Sequence, residues 1–113
     1  MAKIQQPRNF KLMEELENVG KFSVISYGTS DRELKLFEGS IFAKNNNIYG
    51  LIIYCDENYP ITRPTITFNK DNIPNICNAD GTIKEAYSSK ITWNPTNTYS
   101  IGDLLTQLEH SIK

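Results

Sequence analysis

Charge of one sign, clustered metal ligands, glycine-rich loops and long apolar runs are all missing from this chain of 113 residues, and each absence removes a class of function. Lys and Arg number 12 against 13 Asp and Glu, so no field exists to draw the chain onto nucleic acid or an anionic membrane. The expected partners are therefore proteins, with no nucleic acid and no membrane among them. The 6 glycines are scattered singly, which leaves no backbone cradle for a phosphate. Cys, His, Asp and Glu do not gather at metal-ligand spacing, and the lone His110 falls near the end of a predicted helix, where a cation suits the dipole. No metal and no other cofactor is expected. Two cysteines, Cys55 and Cys77, allow one bridge at most, and neither spacing nor compartment argues for it. The longest strongly apolar run, Leu51 to Cys55, is far too short to span a bilayer, and Met1 to Gln6 lacks the apolar stretch of a signal peptide. A cytoplasmic and nuclear location is expected.

What is present suffices for one domain covering 1–113. The chain is 39% hydrophobic and 11% aromatic, enough for a single apolar core and too little for two. From Pro7-Arg8-Asn9-Phe10 to about Asn18, Phe10, Met13 and the pair Leu12/Leu16 recur at helical spacing, with Asn9 available as N-cap and Gly20 as stop. From Ser23 the texture changes. Val24 to Tyr27, Leu34 to Phe42, Ile48 to Cys55 and Thr65 to Phe68 are rich in β-branched and aromatic residues, and polar connections at 28–31 and 45–47 fit hairpins. A four-stranded antiparallel meander is the reading, because consecutive strands joined by short turns are usually neighbours. Residues 69–98 show no sustained period. Ser100 then opens a helix with Ile101, Leu104, Leu105, Leu108 and Ile112 on one face, and Ser100-Ile101-Gly102-Asp103 has the pattern of a capping box. The fold class is α+β, with this helix covering one face of the sheet.

The third strand carries a further signal. If Tyr49, Leu51, Ile53 and Cys55 face the helix, alternation sends Ile48, Gly50, Ile52 and Tyr54 to the opposite face. That second face is unusually apolar. It is either buried on both sides, a scatter of surface apolars, or a sheet face that receives a partner.

Tyr59-Pro60-Ile61-Thr62-Arg63-Pro64-Thr65-Ile66-Thr67-Phe68 resembles the approach to the fourth strand of ubiquitin-conjugating enzymes, where each proline fixes φ and removes a donor just before pairing resumes. Trp93-Asn94-Pro95 with Tyr99-Ser100-Ile101 resembles the same family's approach to its central helix. Pro7 to Glu17 is similar to the opening of the ubiquitin-conjugating enzyme variants of the Mms2/Uev type, and the resemblance covers nearly the whole chain. It implies a ubiquitin-conjugating-enzyme-like fold without the enzymes' C-terminal helices.

In active members a His-Pro-Asn triplet precedes, by a short glycine-bearing loop, the cysteine that carries ubiquitin as a thioester. Here Ile73-Pro74-Asn75 stands at the triplet and Lys84 at the cysteine, so the resemblance implies no catalytic residue at this place. Asn75 has no thioester to assist and is read as holding the loop. Cys77 lies well before Lys84 with no basic group beside it, and an unassisted thiol titrates at about 8.5. Cys55 reads as a core residue at a strand end, and Lys84 as a lysine solvating a loop.

The resemblance implies a non-catalytic partner that pairs with an active ubiquitin-conjugating enzyme and orients an acceptor ubiquitin for chains linked through ubiquitin's lysine sixty-three. The family's partner-binding phenylalanine falls on Phe10, with Pro7, Arg8 and Asp31 as further contacts; alternatively Phe10 packs inward as part of the first helix. Positions matching the acceptor-ubiquitin site are Ser26, Ser40 and Ile48. Two departures border these surfaces, since the connection from Gly28 to Gly39 is shorter than in relatives and the hairpin at 43–47 lacks their proline-containing loop. The scaffold also serves related domains that bind other proteins, and an atypical enzyme using Cys77 is a further alternative.

Overall fold

In the computed structural model, residues 8–94 and 100–113 are described; Pro7, Pro95 and Tyr99 lie outside them. Helix α1 runs Arg8–Glu17. Asn9 therefore stands inside its first turn instead of capping it, and its Oδ1 accepts from Arg8 Nη1 at 2.5 Å. Nor does Gly20 stop the helix. Asn18 does so, donating from its backbone N–H to Glu15 O (3.1 Å) and from its side-chain amide to Glu14 O (2.9 Å). Gly20 sits one step later, in a 3-10 turn at Val19–Lys21.

Strands β1 (Ile25–Gly28), β2 (Leu36–Phe42), β3 (Ile48–Tyr54) and β4 (Thr65–Phe68) form one antiparallel sheet in chain order, as the short connections require. In the β2–β3 hairpin Asn46 takes a left-handed φ of 72°, a conformation asparagine tolerates better than most residues. Asn45 Oδ1 braces that turn by accepting from Asn47 N at 2.8 Å. The register aligns Ser26 with Ser40 and Ser40 with Gly50 across the first three strands, and Glu38 with Gly28 and Ile52.

Helix α3 (Ile101–Ser111) lies on the inner face against β1 and β2. Its capping box is complete: Ser100 Oγ accepts from Asp103 N while Asp103 Oδ2 accepts from Ser100 N at 2.8 Å. Ile101, Leu104, Leu105, Leu108 and Ile112 are at most 1% exposed, and each such burial is worth about 1.5–3 kcal/mol of transfer free energy. Phe37, Ile41, Ile53 and Leu12 complete the same core.

One charged cluster interrupts that core. Glu15, 9% exposed, accepts from Lys11 Nζ at 2.5 Å, from the Tyr59 hydroxyl at 2.5 Å and from Ile101 N at 2.8 Å. The last donor is a first-turn N–H of α3, a group with no intrahelical acceptor. A single carboxylate thus joins α1, the segment before β4 and the start of α3. Burial, then the adjacent Glu15 carboxylate, push the Tyr59 phenol well above its ordinary value.

The segment after β4 folds back along that strand. Isolated bridges pair Thr67 with Thr82 and Cys77 with Ile83. Gly81 takes φ +91°, and a Cβ there would sit 2.2 Å from Phe68 O. Gly81→Ala should therefore cost about 1–3 kcal/mol, read as a lowered urea midpoint at unchanged m value. The same segment holds a one-turn helix, α2 (Glu85–Ser88), which is too short to reveal itself by periodicity.

Candidate functional site

Three places follow from the sequence, and the structure puts them on different parts of the molecule. The first is the loop of Ile73, Asn75 and Lys84, where the resemblance puts an active enzyme's nucleophile. Lys84 is exposed and precedes α2, its backbone engaged through Lys84 N to Ile76 O (2.8 Å) and through its carbonyl, which accepts from Tyr87 N and Ser88 N. Ile73 is half-buried and packs on the core. Asn75 holds the chain's end: its Oδ1 accepts from Lys113 N at 2.8 Å and its amide donates to Ser111 O at 3.3 Å. Tyr87 OH also receives the Asn75 amide at 3.5 Å. The asparagine thus ties this loop to the end of α3 and to Lys113.

Neither thiol is prepared for attack. Cys77 is 6% exposed. Burial, then the Asp80 carboxylate, raise it to about 11 against a smaller opposing influence of Lys84. Cys55 is fully buried in the core, and burial lifts it to about 12. Both are free cysteines. Among the described residues no group of His, Cys, Asp and Glu could hold a metal ion, and no helix is long and apolar enough to cross a membrane.

The second place is the outer side of α1. Leu12 is buried and Leu16 half-buried, but Phe10 is 58% exposed and Met13 56%. The apolar positions of this helix therefore serve two faces, and the alternative in which Phe10 packs inward does not hold. Arg8 anchors the base of this face. Its guanidinium donates to the carbonyls of Asp56 (2.8 Å), Leu34 (2.6 Å), Cys55 (2.9 Å) and Glu33 (3.2 Å). Such multiple charge-assisted bonds fix the start of the helix and hence the position of Phe10. Asp31 has a comparable inward task. Its carboxylate accepts from the N–H groups of Glu33, Lys35 and Leu36 at 3.0–3.1 Å, and those bonds lower its pKa. It closes the turn before β2. Arg8 and Asp31 are thus engaged within the fold.

The third place is the outer face of the sheet. Phe42 (49% exposed), Ile48 (64%), Ile52 (51%), Tyr54 (43%) and Leu36 (52%) stand there, while Tyr49, Leu51 and Ile53 point inward and are buried. The alternation read in the third strand is observed, and the apolar side chains of this face remain 43–64% exposed. Ser26 and Ser40 face each other across β1 and β2. Phe42 and Ile48 pair beside them.

The family-like segments on either side of the long connection meet in space. Trp93 Nε1 donates to Pro60 O at 2.7 Å, and its ring lies 5.6 Å from that of Tyr59. The Tyr59–Pro60 peptide is cis, and Pro64 is buried at the entry to β4.

No family model matches the chain. Among solved structures it is similar to a putative ubiquitin conjugating enzyme from Plasmodium yoelii, with TM-score 0.74 and 21% identity over 96% of this chain and 73% of that one. It also matches human ubiquitin-conjugating enzyme E2 G1, with TM-score 0.72 and 14% identity over 96% of each chain. These likenesses establish the ubiquitin-conjugating-enzyme fold. Curated relatives go further. Ubiquitin-conjugating enzyme E2 variant 1C of Arabidopsis thaliana is 32% identical, covering 91% of this chain and 79% of the relative. Ubiquitin-conjugating enzyme variant MMS2 of Saccharomyces cerevisiae is 32% identical over 96% of this chain and 85% of its own, and ubiquitin-conjugating enzyme spm2 of Schizosaccharomyces pombe is 38% identical over 74% and 67%. With relatives of that identity matched along most of their length, on a fold shared with the enzymes, the chain belongs to the ubiquitin-conjugating enzyme variants.

Proposed function

We propose that this variant is the non-catalytic member of a heterodimer. It pairs through Phe10 with an active ubiquitin-conjugating enzyme and receives an acceptor ubiquitin on the outer sheet face around Ser26, Ser40 and Ile48. The acceptor's lysine sixty-three is then offered to the thioester on the partner. The observation that carries this reading is the loop of Ile73 and Lys84, which lacks a nucleophile while both thiols of the chain are buried and raised. The chain's contribution is placement. Holding two reactants in attacking geometry can supply up to about 7–11 kcal/mol of a barrier, and orientation selects one lysine among several. The cytoplasm and nucleus are its proposed place of work.

The test combines the protein with ubiquitin, activating enzyme, ATP and a chain-building conjugating enzyme, and reads the products by linkage. Free polyubiquitin of the proposed linkage should appear only when both proteins are present; no stimulation with any cognate enzyme would refute the reading. Cys77→Ala should leave synthesis unchanged. A reducible ubiquitin adduct on the parent chain that this variant loses would instead revive a catalytic role for that thiol.

A further inference from the structure

We propose that Glu38 is a specificity-determining contact of the outer sheet face, its carboxylate pairing with a lysine or arginine of the docked acceptor ubiquitin. The proposal rests on the acceptor-binding reading and adds the charge that sets the acceptor's orientation.

Glu38 occupies the centre of that face. The register places it between Gly28 of β1 and Ile52 of β3, with Thr67 of β4 beyond Ile52. Leu36 precedes it on the outer side of β2, aligned with Tyr54, and Ser40 follows it, aligned with Ser26 and Gly50. Its nearest cross-strand neighbours are thus a glycine without a side chain and an exposed isoleucine. Two shallow hollows, of about 630 and 530 Å³, lie on this face, and Glu38 and Ile52 line both. Glu38 therefore stands on the ridge between them.

Of the acids near this end of the sheet, Asp71 lines the first hollow together with Lys70, and three others are already engaged. Asp31 is bonded to backbone N–H groups, and Glu33 and Glu57 lie 3.8 and 3.5 Å from Lys35 Nζ. Among the described residues Glu38 forms no salt bridge. Glutamate is also a poor strand former, and no packing inside the fold accounts for one among Leu36, Ile52 and Tyr54. A face with one central carboxylate amid exposed apolar side chains complements a surface that is apolar and carries a cation, and it repels an acidic one. In water such a pair is weak. A partner filling both hollows would exclude water around the ridge, where the attraction strengthens as the local dielectric falls.

The experiment titrates ubiquitin into the full chain by calorimetry at low and high salt, for the parent, Glu38→Gln, Glu38→Lys and Ile48→Ala. The glutamine variant should bind about three- to tenfold more weakly at low salt and lose most of the salt dependence. The lysine variant should bind more weakly still, and a ubiquitin with one basic residue reversed to glutamate should restore it. Thermal midpoints matching the parent's would show that the variants fold. If Ile48→Ala weakens binding while Glu38→Gln does not, the role of Glu38 is overturned and the acceptor site stands. If neither substitution matters, both fall. A glutamine variant that binds ubiquitin normally but self-associates would show that Glu38 only keeps the face soluble, which also overturns the proposal.

Discussion

Phe10→Ala should leave the stability of the isolated protein within about 0.5 kcal/mol of the parent and remove nearly all stimulation of polyubiquitin synthesis. The two halves of that expectation have one cause. Phe10 is 58% exposed and takes no part in the core, so its removal opens no cavity in the folded chain. An aromatic held out on a rigid helix, with Met13 one turn on, is the type of anchor that dominates an interface, where truncation costs about 2–4 kcal/mol or more. That corresponds to a loss of affinity of at least about thirtyfold. Binding to the active enzyme, followed by ultracentrifugation or calorimetry, should show the loss directly, with polyubiquitin yield falling in parallel. Retained synthesis alongside a lowered unfolding midpoint would place Phe10 in the fold's own packing and remove the partner-binding role from this helix.

Glu15→Ala should destabilise the protein by about 3–5 kcal/mol, the usual cost of removing one member of a buried charge cluster. The carboxylate accepts from three donors on three elements, and alanine takes the acceptor from all of them at once. Tyr59 is 2% exposed and Ile101 is fully buried, so water cannot readily replace what is lost. Glu15→Gln keeps one acceptor oxygen and should fall between the parent and alanine, at about 1–3 kcal/mol. Urea unfolding measures both. A loss below about 1 kcal/mol for alanine would mean that the cluster relaxes or hydrates and does not tie the helices together. Function should follow stability here, because Arg8 and Glu15 together set the platform from which Phe10 projects. Partial restoration of chain synthesis at lower temperature would identify the defect as one of folding.

Which parts of this molecule were legible in its sequence depended on the range of the interaction. The strand order, the alternation of β3 and the capping box of α3 rest on contacts between residues close in the chain, and each appears with the expected residues. The first helix was only half legible. Phe10, Met13, Leu12 and Leu16 share a helical period, but a pattern of apolar residues does not say how many faces it serves. Only the packing on α3 and the segment before β4 turns Lys11, Leu12 and Glu15 inward and leaves Phe10 and Met13 in solvent. The resemblance put Arg8 and Asp31 at an interface, yet within the fold both bond mainly to backbone groups, in Arg8's case as far away as Asp56. No local signal announces a carbonyl that only the fold brings near.

The sequence by itself determined a balanced charge, an α+β pattern of elements, and Ile73-Pro74-Asn75 and Lys84 within one irregular connection. Those are statements of identity and order, which survive any arrangement of the chain. The tertiary structure alone decided that both thiols are shut away, that Lys11 and Glu15 form a buried junction in place of a solvated surface pair, and that Glu38 stands on a ridge between two hollows. Burial and charge environment arise from elements distant in sequence packing together, and they are what make a residue available for binding or chemistry.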